Sequence, residues 1–172
     1  MNAPASIRER LSHAPDRGEW RDGGARYLMI RHDSLMGLFR RLPAPARRTA
    51  LAAFADSVAE HGGRSAEAYR MTAAEADALL ALVAATAAEL GWGRWRFVQA
   101  PDELRLEVAN SPFAAGFGAA REPVCAAVAG MLRAVAALVL ATPAVAEEIS
   151  CAAVAEETCR FVARPRRSDA KR

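Results

Sequence analysis

Residues 94–108 read RWRFVQAPDELRLEV, and the apolar period within them is two. Trp95 and Phe97 alternate with Arg94 and Arg96, and Leu104, Leu106 and Val108 alternate with Arg105 and Glu107. Successive side chains on a strand point to opposite faces, so this stretch reads as an antiparallel hairpin with one packed and one solvated face. Pro101 and Asp102 suit the central positions of its turn.

Ahead of the hairpin the apolar period is that of helices. Leu35, Leu38, Phe39 and Leu42 form one helical face after a cap at Asp33 or Ser34 and before Pro43. A second helix starts at Pro45, buries Leu51, Phe54 and Val58, and is expected to stop at Gly62 and Gly63. Thr72 and Glu75 have the spacing of a capping box, which places the start of a third helix there, with Leu79, Leu82, Val83 and Leu90 buried and Gly91 ending it. Arg26 to Arg31 reads as a first strand, following a loose arm that ends near Glu19.

Beyond the hairpin, Asn110 to Glu122 reads as a loop holding Gly116-Phe117-Gly118, and it leads to a helix with Pro123 in its first turn. That helix is apolar nearly all round, which requires cover on more than one side. Val145 to Cys151 and Cys159 to Ala163 read as two final strands. The order implies an α+β fold: helices packed on one face of a four- to five-stranded antiparallel sheet, in a single domain. The chain divides into a flexible arm (1–19), a ligand-binding domain (20–164) and a basic, disordered tail (165–172).

Composition fits one domain. The 172 residues are 52% hydrophobic and 25% charged, enough to bury about two-thirds of the unfolded surface. The net charge of +3 comes largely from scattered arginines and the tail, so direct nucleic-acid binding is not expected. Lysine occurs only at Lys171. The longest apolar run, Val124 to Ala141, carries Arg133 and Gly130, which favours a buried helix over a membrane span. The first twenty residues lack the apolar segment of a secretion signal, and a cytoplasmic location is expected.

Three cysteines in a reducing compartment are no disulfide framework. Cys125, Cys151 and Cys159, with Glu148 nearby, are read either as buried inert thiols or as metal ligands drawn from three elements. Residues three apart on a regular strand face opposite ways, so Glu148 and Cys151 could share an ion only if the strand ends or bulges between them. Glu147 has the matching parity, and Glu156 and Glu157 lie in the turn. His13, His32 and His61 lack nucleophile partners at recognisable spacing, and Gly116-x-Gly118 lacks the rest of a dinucleotide fingerprint.

Several segments together resemble the 4-vinyl reductase domain family over roughly residues 20–164: Asn110-Ser111-Pro112-Phe113-Ala114, then Pro123-Val124-Cys125 with Gly130, then Glu148-x-x-Cys151-x-Ala153, then Cys159-x-Phe161. The family includes hydrocarbon-binding proteins, sensory domains of aromatic-responsive activators, and a protein linked to vinyl reduction in bacteriochlorophyll synthesis. The resemblance implies a homodimer that holds an apolar ligand between sheet and helices. It also implies a structural zinc, Zn(2+), on Cys125, Glu148, Cys151 and Cys159, and so selects Glu148 over Glu147. Two departures stand out. The family often has glycine at the position of Ala155, and its phenol sensors tend to have tryptophan at that of Val108, which argues against a phenol-specific pocket.

Phe113, Phe117, Trp92, Trp95 and Met131 are the candidate ligand-binding residues, because large apolar side chains supply area and a tryptophan N–H supplies orientation. No catalytic residue is assigned. The expected role is a binding module, a sensor or carrier of a hydrophobic, aromatic or tetrapyrrole molecule that signals through a protein partner. The alternatives are an enzyme or accessory of vinyl reduction, and a homodimeric interaction scaffold.

Overall fold

The computed structural model describes residues 6–73 and 75–166. The hairpin forms as its period dictates. β4 (Arg94–Ala100) pairs with β5 (Glu103–Ala109) from Arg94↔Ala109 to Ala100↔Glu103, which leaves Pro101 and Asp102 as the two turn residues. With β6 (Ala144–Ser150) and β7 (Cys159–Pro165) it builds a four-stranded antiparallel sheet in the order β4-β5-β7-β6. Trp95, Leu104, Leu106, Val108, Phe161 and Ala163 are buried on its inner side. The outer side is a lattice of ion pairs, Arg96–Glu107, Arg105–Glu103, Arg164–Glu103 and Arg164–Glu147, as expected of a solvated face.

Helices cover the inner face. They are α2 (His32–Arg41), α3 (Ala44–Thr72), α4 (Ala76–Glu89), α5 (Pro112–Phe117) and α6 (Ala126–Val139), after a short α1 (Ile7–Arg10). α6 packs on β5, β6 and β7, α4 on β4, and α3 lies across the outer side of α6. That sandwich supplies the cover α6 requires. Its one charge, Arg133, reaches Asp56 of α3 at 2.8 Å.

Several expectations need correction, among them the loop read at 110–122, which contains α5, and Pro123, which lies ahead of α6 and not in its first turn. Gly62 and Gly63 do not stop a helix; α3 runs through them for 29 residues. A Cβ on Gly62 would sit 3.0 Å from Met131 Cε, one on Gly63 would sit 3.3 Å from Ala134 Cβ, and one on Gly130 would overlap the Ala55 carbonyl. These glycines let α3 and α6 approach closely, and that packing offsets the roughly 0.5–1 kcal/mol each glycine costs within a helix. Thr72 is the last residue of α3, and α4 begins at Ala76 with Glu75 as an N-cap that makes no side-chain bond, so Thr72-Glu75 is not a capping box. The strand read at residues 26–31 as the first is the third, β3 (Ala25–Tyr27), which joins β1 (Ser12–Ala14) and β2 (Glu19–Asp22) in a separate three-stranded sheet, so residues 7–19 are not a loose arm. On α2 the buried face is Met36, Gly37 and Phe39, while Leu38 is exposed.

Gly91 does end α4 in the left-handed region (φ +78°). β7 continues to Pro165, and the Arg166 N–H donates to the Pro143 carbonyl at 2.7 Å; residues 167–172 of the basic tail lie outside the described residues. Among the described residues no helix is long and apolar enough to cross a membrane.

Candidate metal centre

Cys125 is the N-cap of α6, at the point where the chain leaves the 118–124 segment for the helix. Glu148 lies near the end of β6, where the pairing with β7 steps from Glu148↔Phe161 to Ser150↔Arg160. Between Glu148 and Cys151 the strand thus shifts register and then ends, which meets the condition set by the parity argument. Cys151 follows the strand and opens a single 3-10 turn, Ala152–Val154, that turns the chain toward Cys159 at the start of β7. Three elements distant in sequence thus deliver their donors to one point.

One ligand atom from each of Cys125, Glu148, Cys151 and Cys159 lies within 4.8 Å of all the others. The Sγ atoms of Cys125 and Cys159 are 3.6 Å apart, and those of Cys125 and Cys151 are 3.9 Å apart. These values bracket the roughly 3.8 Å edge of a tetrahedron built on metal–sulfur bonds of about 2.3 Å. All three cysteines are buried free thiols. Glu147, of the matching parity, instead points outward to Arg164 at 3.3 Å, and Glu156 and Glu157 are exposed in the turn.

Glu148 tests the fit of an ion. Its Oε2 accepts the Cys125 N–H at 2.8 Å, while its Oε1 is buried with no hydrogen-bond partner among the described residues. An unsatisfied buried carboxylate oxygen costs about 1–3 kcal/mol or more, and a cation beside it removes that cost. Burial pushes the Glu148 carboxyl up to about 8, with the neighbouring Cys151 sulfur adding to the rise. Hydrogen bonds from Cys125 and Cys151 hold the Cys159 thiol down at about 4, and the bonding of Cys125 to Cys151 and Cys159 pushes Cys125 up. A cation would let all four groups ionise. Three thiolates and one carboxylate suit a borderline-soft divalent metal.

Two contacts outside the cluster hold its donors. The Ala152 N–H donates to Cys159 Sγ at 3.3 Å, and Ser111 Oγ lies 3.4 Å from Cys125 Sγ while capping α5 by accepting the Ala114 N–H. Sequence reasoning quoted Ser111 in the motif without seeing this link, which only the fold reveals.

The candidate ligand residues divide between two places. Trp92, Trp95 and Phe113 belong to an aromatic row: Phe39–Phe54 (5.5 Å between centroids), Phe54–Phe113 (6.4 Å), Phe113–Trp92 (5.1 Å), Trp92–Trp95 (6.4 Å) and Trp95–Phe97 (5.9 Å). The Trp95 indole N–H donates within that row to the Trp92 carbonyl. Met131 packs against Gly62 at the crossing of α3 and α6. Phe117, four residues beyond Phe113 on α5, lines a cavity of about 940 Å³ bounded by α2, the start of α3 and the 118–124 segment. Arg40, Arg47, Arg48 and Arg121 on its walls were not singled out from the sequence. The signal available was the pair of double arginines flanking the prolines in RRLPAPARR, residues 40–48.

Solved structures share this fold. The phenol-responsive sensory domain of the transcription activator PoxR, solved with phenol, superposes with a TM-score of 0.78 at 18% identity, covering 92% of this chain and 86% of its own. A vinyl-4-reductase family protein from Methanocaldococcus jannaschii gives 0.51 at 13% identity, over 84% of this chain and all of its own. A trafficking protein particle complex subunit 3 from Naegleria fowleri, covalently bound to palmitic acid, gives 0.54 at 11% identity, over 79% and 95%. No curated protein matches in sequence. Residues 104–165, from β5 to the end of β7 and therefore including all four clustered donors, match the model of the 4-vinyl reductase domain, the family that the sequence resembles.

Proposed function

We propose that this protein is a small-molecule sensor or carrier whose C-terminal half is held together by a structural zinc ion. The single observation behind the zinc is the cluster itself: three cysteine sulfurs and a Glu148 carboxylate oxygen gathered within 4.8 Å of one another, with Glu148 Oε1 buried and without a hydrogen-bond partner among the described residues. Cys125, Glu148, Cys151 and Cys159 would be its ligands. Four protein ligands leave no open position for substrate, so the ion acts on stability and not on chemistry.

The ligand reading rests on the cavity at Phe117. Trp92, Trp95 and Phe113 of the aromatic row and Met131 at the α3–α6 crossing remain candidate contacts for an apolar guest, apart from the lining of that cavity. Phenol in the sensory domain and palmitic acid in the trafficking subunit are both largely apolar guests of this fold, which supports an apolar ligand here. A homodimer is part of the proposal. Leu28, Met29 and Ile30, 83%, 72% and 54% exposed, form an apolar strip next to the small sheet that a second copy would cover.

Native mass spectrometry and metal analysis of the protein purified without chelators test this reading. The expected result is a dimer with about one zinc per chain and an apolar passenger or a free ligand site. A metal-free protein whose stability is indifferent to chelator overturns the zinc. A strict monomer overturns the dimer.

A further inference from the structure

The cavity at Phe117 has an uneven chemistry. Its floor is apolar and buried: Leu51 from α3, Phe117 from α5 and Val124 ahead of α6. Its walls carry four guanidinium groups, Arg40, Arg47, Arg48 and Arg121, against one carboxylate, Glu122. Arg48 already engages that carboxylate at 3.1 Å. Among the described residues no carboxylate pairs with Arg40, Arg47 or Arg121.

Two of these arginines are held in place by the residue at the floor. Arg40 Nη1 donates to the Phe117 carbonyl at 3.3 Å, and the Arg47 guanidinium lies 5.6 Å from the centroid of the Phe117 ring. Gly116 makes this possible, since a Cβ there would overlap the His32 carbonyl and push α5 away from α2. On the outer face of the sheet, by contrast, Arg96, Arg105 and Arg164 are paired with Glu103, Glu107 and Glu147.

We propose that this cavity binds an apolar carboxylate, the anion of a lipid-like or polycyclic acid, with its hydrocarbon body on Leu51, Phe117 and Val124 and its carboxylate between Arg47 and Arg121. Guanidinium groups grip carboxylates through paired N–H donors, and low-dielectric walls concentrate their field in the cavity. The inference rests on the ligand-binding reading above and names the class of that ligand.

Calorimetry on the zinc-loaded, full-length protein with matched probes tests it: 2-naphthoate against 2-naphthol, and decanoate against decanol. Each acid is expected to bind at least ten-fold more tightly than its alcohol, a difference of ~1.4 kcal/mol. The double variant R47Q/R121Q is expected to bring acid and alcohol within two-fold of each other, with its melting temperature and zinc content at wild-type values. Equal affinity for acid and alcohol in the wild type, or an acid preference that survives the double variant, overturns the carboxylate and leaves the apolar-ligand reading standing. Inorganic phosphate that displaces 2-naphthoate at equal concentration marks a plain anion site and likewise overturns it. Binding of none of the four probes overturns both readings.

Discussion

The cysteine clip and the arginine cavity share one short stretch, from Ser111 to Cys125, whose two ends meet at the clip while Phe117 and residues 119–124 line the cavity, and they solve opposite electrostatic problems. The clip gathers three sulfurs and a carboxylate in the interior, where anions need a cation. The cavity gathers four cations around an apolar floor, where an anion would be welcome. The first has its donors fixed by α6, a bulged strand and a tight turn. The second lies open between helices, and three of its four arginines pair with no carboxylate among the described residues. A closed site stabilises a fold; an open one can exchange its guest. α5 joins them, with Ser111 at one end beside Cys125 and Phe117 at the other in the cavity.

Removing a donor from the clip tests this contrast most severely. C159S leaves the remaining ligands one short, and because a structural metal's binding energy is folding energy, we expect a loss of about 4 kcal/mol. For a chain of this size that corresponds to a melting temperature lower by about 8–16 °C, with zinc lost in metal analysis. Unchanged melting would mean the thiols are ordinary core side chains.

Neighbouring residues on β6 make a finer comparison. E148Q keeps the shape but removes the charge, and we expect zinc affinity to fall ten- to a hundred-fold, or about 1.4–2.7 kcal/mol of linked stability. E147Q, one position away on the outer face, removes an exposed partner of Arg164, and we expect a change within about 0.5 kcal/mol. Competition with a chromophoric chelator measures the first, and thermal melting both. Equal effects at the two positions would remove Glu148 from the ligand set.

Why these features were or were not legible in the sequence follows from their range. The hairpin is local: a period of two and a Pro-Asp turn carry it entirely. The need for a strand end or a bulge after Glu148 also followed from local parity. Gly62 and Gly63 misled because a glycine pair reads as a stop unless its neighbour is known, and that neighbour, α6, lies some seventy positions away. The Thr72-Glu75 motif was outweighed by the helix-favouring, alanine-rich stretch before it. Of the arginine cavity only the double arginines at 40–48 were visible in the sequence; that Arg121 joins them is set by the fold.

The smallest effect probes the turn that closes the clip. Ala155 sits in the left-handed region, at φ 64° and ψ 22°, where a Cβ is strained and glycine is not. A155G should therefore relieve strain in the folded chain while loosening the unfolded one, for a net gain of about 0.5–1 kcal/mol, or about 1–4 °C in melting temperature. The gain should depend on the metal. With zinc bound, Cys151 and Cys159 fix the turn and the strain at Ala155 has no way out. After chelation the turn can relax, so the advantage of glycine should shrink. A gain of equal size with and without metal would mean the turn holds its shape unaided, and that the clip stabilises the sheet without shaping the loop between its own ligands.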